Sequence, residues 1–194
     1  MEKTQSPEEI AKRLYRYDVI AEKLDGLDEC GEEHLKFYRN NGFLAVENVL
    51  NAQEINDSID AIKEIIFVDD KGARIQFTRP RDELKTARDR ELAVRKLSKF
   101  VDVDERLKRI AYHPDILAKV EDILGEEPIL AQDMALLKPP HGGGEKPWHQ
   151  DMAFGALSFK NPVIGVWIAL DEAGLDNGCM HVIPGSHAEG ATPH

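Results

Sequence analysis

An α+β fold with a mainly antiparallel sheet is what this sequence predicts, and three features of the chain point to it. Charge is unevenly spread: from Pro128 to His194 there are three lysines, seven acidic residues and no arginine, the last arginine being Arg109. The same stretch holds nine of the fourteen glycines and the longest apolar runs. Helical periodicity dominates the front of the chain, and short apolar runs separated by Gly and Pro dominate the rear. Helices first and sheet afterwards is the order of an α+β domain rather than of alternating βαβ units. The 194 residues suffice for one domain with a sizeable core and are too few for two ordinary ones. Residues 1–194 therefore read as a single domain, mostly helical over 1–127 and sheet over 128–194.

In the front part, Ser6-Pro7-Glu8-Glu9 has the form of a helix start, with Ser6 as N-cap, Pro7 in the first turn and Glu9 three positions on. A second helix is expected from Glu32 to Asn40, stopped by Asn41-Gly42. Phe43 to Val46 follows as a short strand. Asn51 is placed to cap a helix whose Ile55, Ile59, Ile62 and Ile66 fall on one face. Ala73 to Thr78 reads as a strand, Asp82 to Lys99 as a helix, and Asp104 to Ala111 and Pro114 to Leu124 as two more helices, the last ending at Gly125. In the rear part the strand candidates are Ile129 to Leu137, Val163 to Leu170 and Cys179 to Ile183. The run Val163-Ile164-Gly165-Val166-Trp167-Ile168 is nearly all apolar, as in a strand covered on both faces. Pro139 to Gly144 is a loop, and Asp176-Asn177-Gly178 a turn.

Composition narrows the function. A net charge of −11 opposes nucleic acid or anionic lipid as the main partner, since both select basic surfaces. No apolar run reaches the length of a membrane span. The polar, acidic start MEKTQSPEEI is unlike a secretory signal, and two cysteines, Cys30 and Cys179, are too few for a disulfide framework. The expectation is a soluble, acidic, cytoplasmic domain, with room for a small anionic ligand held by a few placed cations.

The segment Pro147-Trp148-His149-Gln150-Asp151 carries the chemistry. In an extended strand, residues two apart share a face, so His149 and Asp151 would converge while Gln150 points away. An imidazole and a carboxylate on one face supply two of the three protein ligands of a two-histidine, one-carboxylate iron centre. A His-x-Asp spacing alone is equally what a surface strand with an ordinary His–Asp hydrogen bond would show. The glycine loop before it, the aromatic beside it and the apolar run behind it strengthen the metal reading.

Here the chain resembles the phytanoyl-CoA dioxygenase family of iron- and 2-oxoglutarate-dependent oxygenases. Five blocks carry the resemblance in the family's order. They are Leu137 to Pro140, Trp148 to Asp151, Ile164 to Leu170, Asn177 to Ile183, and Pro184-Gly185-Ser186-His187. The resemblance implies a double-stranded β-helix, or jelly roll, with the N-terminal helices packed on one side. It assigns Fe(II) to His149 and Asp151, and 2-oxoglutarate as co-substrate with O2. Met134 and Trp167 match residues that wall the co-substrate pocket, where ordinary core positions are the plainer alternative. Lys96 is the match for a cationic co-substrate contact, with Lys99 one helical turn further on; a solvated helix lysine is its plain alternative.

The family's second metal histidine and its co-substrate arginine lie downstream of these blocks, and a jelly roll needs about eight strands. The expectation is therefore a domain lacking its last strands in this chain, with its sheet left open. His181, His187 and His194 are poor substitutes for the second histidine, His187 matching a position that hydrogen-bonds backbone. Two function classes follow: a dioxygenase hydroxylating a small organic substrate, or a non-catalytic binding or scaffold relative. Family halogenases carry a small residue at the carboxylate position, and Asp151 fills it here, which favours hydroxylation.

Overall fold

The structure, a computed structural model, describes residues 19–68, 72–140, 146–151 and 162–190. The described residues fall into two compact units, 19–48 with 173–190, and 49–172. The helix expected from Ser6 lies outside the described residues, as do His194 and most of the glycine-rich loop.

In the first unit, β1 (Lys23–Asp25) pairs in parallel with β2 (Ala45–Glu47), Lys23 opposite Ala45. Between them runs α1 (Glu32–Asn41), with Glu32 and Glu33 at the positive end of its dipole. Gly42 ends it at φ 83°, donating its N–H to the Tyr38 carbonyl at 2.7 Å. The Asn41-Gly42 stop seen in the sequence is thus a left-handed cap that only Gly adopts without strain. Residues 184–187 dock on this helix end. Gly185 N–H donates to Asn41 O at 2.9 Å, and His187 Nε2 donates to Arg39 O at 3.0 Å.

The second unit begins with α2 (Ala52–Val68). Asn51 Oδ1 accepts the N–H groups of Gln53 and Glu54 at 2.9 and 3.0 Å, and Glu54 Oε2 accepts the Asn51 N–H at 2.8 Å. This reciprocal box satisfies donors that the helix itself cannot. The buried stripe is Ser58, Ala61, Ile62, Ile65 and Ile66, with Ile55 and Ile59 half-buried at its edge. Then follow β3 (Arg74–Phe77), α3 (Ala87–Ala93), β4 (Val94–Ser98), α4 (Glu105–Ala111), α5 (Pro114–Leu124) and β5 (Ala135–Leu136). Pro114 opens α5 and Gly125, at φ 77°, closes it.

β3, β4 and β5 form an antiparallel sheet in that order. One face, with Ile75, Val94 and Leu97, packs on Ala61, Ile62, Ile65 and Ile66 of α2 and Leu107 of α4. Each large aliphatic buried here contributes about 1.5–3 kcal/mol. The opposite face presents Arg74, Gln76, Lys96, Ser98 and Leu136, paired Arg74 to Ser98, Gln76 to Lys96 and Lys96 to Leu136. Helices on one side of a mainly antiparallel sheet are the expected α+β arrangement.

Four expected elements need correction. Asp82 to Lys99 is not one helix: a 3-10 turn at Arg81–Glu83 precedes the seven-residue α3, and the chain then enters β4. The register shifts between Gln76 and Phe77, which face Lys96 and Val94, so Arg95 is the extra residue of a bulge. The bulge puts Val94 and Leu97 on one face, a spacing of three that reads as helix. Lys96 is accordingly a strand residue. Of the expected strand Ile129 to Leu137, only Ala135–Leu136 pairs. The runs Val163 to Leu170 and Cys179 to Ile183 join no ladder among the described residues, where no partner strand offers them its N–H and C=O groups. The sheets described contain two and three strands and do not close a jelly roll.

Candidate metal centre

His149 and Asp151 stand at the end of the segment 146–151, outside any paired strand. Their side chains nevertheless meet: His149 Nε2 lies 3.3 Å from Asp151 Oδ1, while Gln150 between them is half-buried. The other ring nitrogen, Nδ1, lies 2.8 Å from the Pro147 carbonyl. A carbonyl oxygen only accepts, so Nδ1 carries a proton and donates it. That bond fixes the ring orientation and leaves Nε2 as the nitrogen facing the carboxylate. In the neutral tautomer two acceptors then confront each other, an arrangement that a shared proton or a cation between them would relieve.

The separation suits a cation. Two ligands on octahedral bonds of roughly 2.1 Å, set at right angles, stand about 3 Å apart. Histidine with its second nitrogen on a backbone carbonyl is the usual form of a metal-bound imidazole. The side chains are 32% and 73% exposed, so the carboxylate is accessible. A Cβ at Gly165 would stand 4.0 Å from Asp151 Oδ2, which places that oxygen close beside the apolar run 163–168. The donor set fits Fe(II) as far as it goes. Among the described residues no third His, Cys, Asp or Glu joins the pair.

The other sequence candidates are placed as follows. Lys96 lines an open cavity of about 380 Å³ together with Arg74, Gln76, Ser98, Lys99 and Asp133. Met134 lies two residues before Leu136, the partner of Lys96, just outside the paired strand β5. Met134 and Trp167 are 44% and 50% exposed, which sets both apart from the buried core. Of these candidates, the structure brings together only His149 and Asp151, while Lys96 stands on the outer face of the sheet. In the first unit, His181 Nε2 lies 3.7 Å from Cys179 Sγ, and His187 is engaged on Arg39 O.

Arg74, Ser98 and Asp133 escaped the sequence reading. Asp133 Oδ1 accepts the Lys99 N–H at 2.5 Å, and Oδ2 accepts those of Phe100 and Val101 at 2.6 and 2.9 Å. It closes the turn after β4, where Lys99 sits at φ 59°. The alternation Arg74-Ile75-Gln76-Phe77 was the available signal for Arg74, since it assigns Arg and Gln to one face.

The sequence profile of the family described as Phytanoyl-CoA dioxygenase (PhyH) matches residues 38–194. A phytanoyl-CoA dioxygenase domain-containing protein 1 homolog of Caenorhabditis briggsae is 30% identical over 185 residues, covering 80% of this chain and 64% of its own length. The mouse phytanoyl-CoA dioxygenase domain-containing protein 1 is 38% identical over 89 residues, 46% of this chain and 31% of its own. The bovine protein named phytanoyl-CoA dioxygenase, peroxisomal, is 30% identical over 166 residues, 84% of this chain and 49% of its own. The chain therefore spans less than two thirds of the length of each of these relatives.

Proposed function

This chain belongs to the phytanoyl-CoA dioxygenase family, and from that premise we propose that it serves as an Fe(II)- and 2-oxoglutarate-dependent dioxygenase that hydroxylates a small organic substrate. The observation that carries the reading is the His149–Asp151 pair, with Nε2 and Oδ1 3.3 Å apart and Nδ1 anchored on Pro147 O. Ferrous iron with 2-oxoglutarate supplies the oxygen activation, coupled to loss of carbon dioxide from the co-substrate.

In this reading the protein's own groups do the binding and positioning. His149 offers the Nε2 lone pair, because its proton is held at Nδ1 by the Pro147 carbonyl. Asp151 offers a carboxylate that also offsets the charge of the metal. Lys96 pairs its ammonium with a carboxylate of the dianionic co-substrate. Met134 and Trp167 present apolar surface that walls the pocket and limits water near the reacting atoms. Among the described residues no helix is long and apolar enough to cross a membrane. Cys30 and Cys179 are both free thiols, which suits a reducing compartment such as the cytoplasm.

The test is turnover by the natural polypeptide supplied with Fe(II), 2-oxoglutarate and O2. Succinate should form slowly without added substrate, and Asp151→Ala should abolish its formation. Succinate formation that persists at the wild-type rate in Asp151→Ala would remove Asp151 from the site. No succinate from the wild type with iron bound and candidate substrates present would favour a non-catalytic binding role.

A further inference from the structure

The cavity beside Lys96 carries more positive charge than a single co-substrate lysine requires. Three cations border it, Arg74, Lys96 and Lys99, in a chain whose net charge is −11. Among the described residues several other cations find carboxylates: Arg39 reaches Glu32 at 2.8 Å, Arg88 reaches Glu91 at 2.6 Å, and Arg106 reaches Glu64 at 2.7 Å and Asp104 at 2.8 Å. None of the three cavity side chains takes part in an ion pair among the described residues. The one acid on the cavity wall, Asp133, has both oxygens turned onto backbone N–H groups of residues 99–101.

The sheet register sets the geometry. Arg74 stands directly opposite Ser98, and Lys96 lies two residues along from Ser98 on the same face. Diagonal neighbours of this kind stand about 7–8 Å apart at the backbone, a gap that an Arg and a Lys side chain close around a small anion. The three side chains offer a planar two-donor fork, a hydroxyl and an ammonium. A carboxylate can be gripped bidentately by the fork and capped by the other two. The bulge at Arg95 leaves this face intact, because the register slip falls on the far side of the Gln76–Lys96 pair.

We propose that Arg74, with Ser98 and Lys96, forms a carboxylate cradle on the outer face of the β3-β4-β5 sheet, and that Arg74 is a further residue binding the dicarboxylate co-substrate. The proposal rests on the reading of Lys96 as a co-substrate contact and extends it to a guanidinium from the neighbouring strand.

Binding of 2-oxoglutarate to the metal-free natural polypeptide, followed calorimetrically, isolates the cradle from the iron. Arg74→Gln should raise the dissociation constant roughly tenfold or more, the loss expected of a charge-assisted bidentate contact. Arg74→Lys, which keeps the charge and loses the fork, should fall between the two. Arg88→Gln, which breaks only the pair with Glu91, should bind as the wild type does. Fe(II) affinity in the absence of co-substrate should be unchanged in Arg74→Gln, a split that general damage to the fold would not give. A wild-type dissociation constant in Arg74→Gln overturns the inference. If Lys96→Gln weakens binding at the same time, the role of Lys96 survives that failure. Weakening in Arg74→Gln with none in Lys96→Gln supports the Arg74 contact and removes Lys96 from the co-substrate site.

Discussion

The carboxylate of Asp133 accepts the backbone N–H of Phe100 at 2.6 Å, and with it those of Lys99 and Val101. A side chain from the approach to β5 thereby satisfies three successive donors at the exit of β4, where the ladder has ended. Asp133→Ala leaves these donors without their acceptor and should cost about 2–3 kcal/mol. Asp133→Asn keeps one acceptor oxygen and should cost about half as much. Urea unfolding midpoints of the two variants check the ordering, and equal midpoints for both and the wild type would contradict it.

Core and bulge positions on β4 should respond very differently. Leu97 is fully buried against α2, and Leu97→Ala should destabilise by about 2–5 kcal/mol. Arg95, the exposed extra residue of the bulge, should tolerate Ala within about 0.5 kcal/mol. Thermal melts of both variants measure the contrast.

That contrast also explains what the sequence could and could not disclose. Local signals were legible: the Asn51–Glu54 box, Pro114 at the start of α5, and Gly42 and Gly125 as left-handed stops each depend on a few neighbouring residues. The strand β4 was hidden because Ala93, Val94, Leu97 and Val101 repeat at three to four residues, and only pairing with β3 shows that a bulge produces the spacing. Long-range pairing also decides which apolar runs become strands, so Val163 to Leu170 could not be settled from its own composition. At the candidate centre, the His149-x-Asp151 spacing was visible, but the contact that orients the ring, Nδ1 to Pro147 O, is a local turn that no side-chain pattern encodes. Arg74 lay in plain alternation, yet its nearness to Lys96 depends on the same strand pairing.

The start of α3 should be sensitive to acid. Asp89 accepts the Thr86 N–H at 2.9 Å while Thr86 Oγ1 accepts the Asp89 N–H at 3.0 Å. The Thr86 side chain, and with it the Thr86 backbone N–H, holds the Asp89 carboxyl below the usual carboxylate range. A depressed folded-state pKa means the stabilisation is present above the ordinary carboxylate value and is lost as pH falls through the lower, folded one. Asp89→Asn should therefore lower stability in the neutral region and flatten part of the acid limb, its curve converging on that of the wild type below about pH 4. An acid limb identical to the wild type would contradict this.

Gly42 should not accept a side chain. Its φ of 83° disfavours any L residue, and an added Cβ would lie 2.5 Å from His187 Nδ1. Gly42→Ala should cost about 1–2 kcal/mol from the backbone strain alone and should also displace His187 from Arg39 O. Replacing His187 with Ala in the same chain should recover the steric share but not the strain, a non-additivity that a double-mutant cycle reads directly.

The central claim is that His149 and Asp151 hold iron, and anaerobic Fe(II) binding to the natural polypeptide tests it most directly. One equivalent should bind the wild type, and His149→Ala and Asp151→Ala should each weaken binding by at least about tenfold. Asp151→Glu should be nearly as harmful, since one added methylene displaces the oxygen beyond the roughly 0.5 Å that a preorganised site accepts. Trp167→Phe, which leaves both ligands in place, should bind iron as the wild type does. Iron bound with unchanged affinity by both His149→Ala and Asp151→Ala would contradict the assignment.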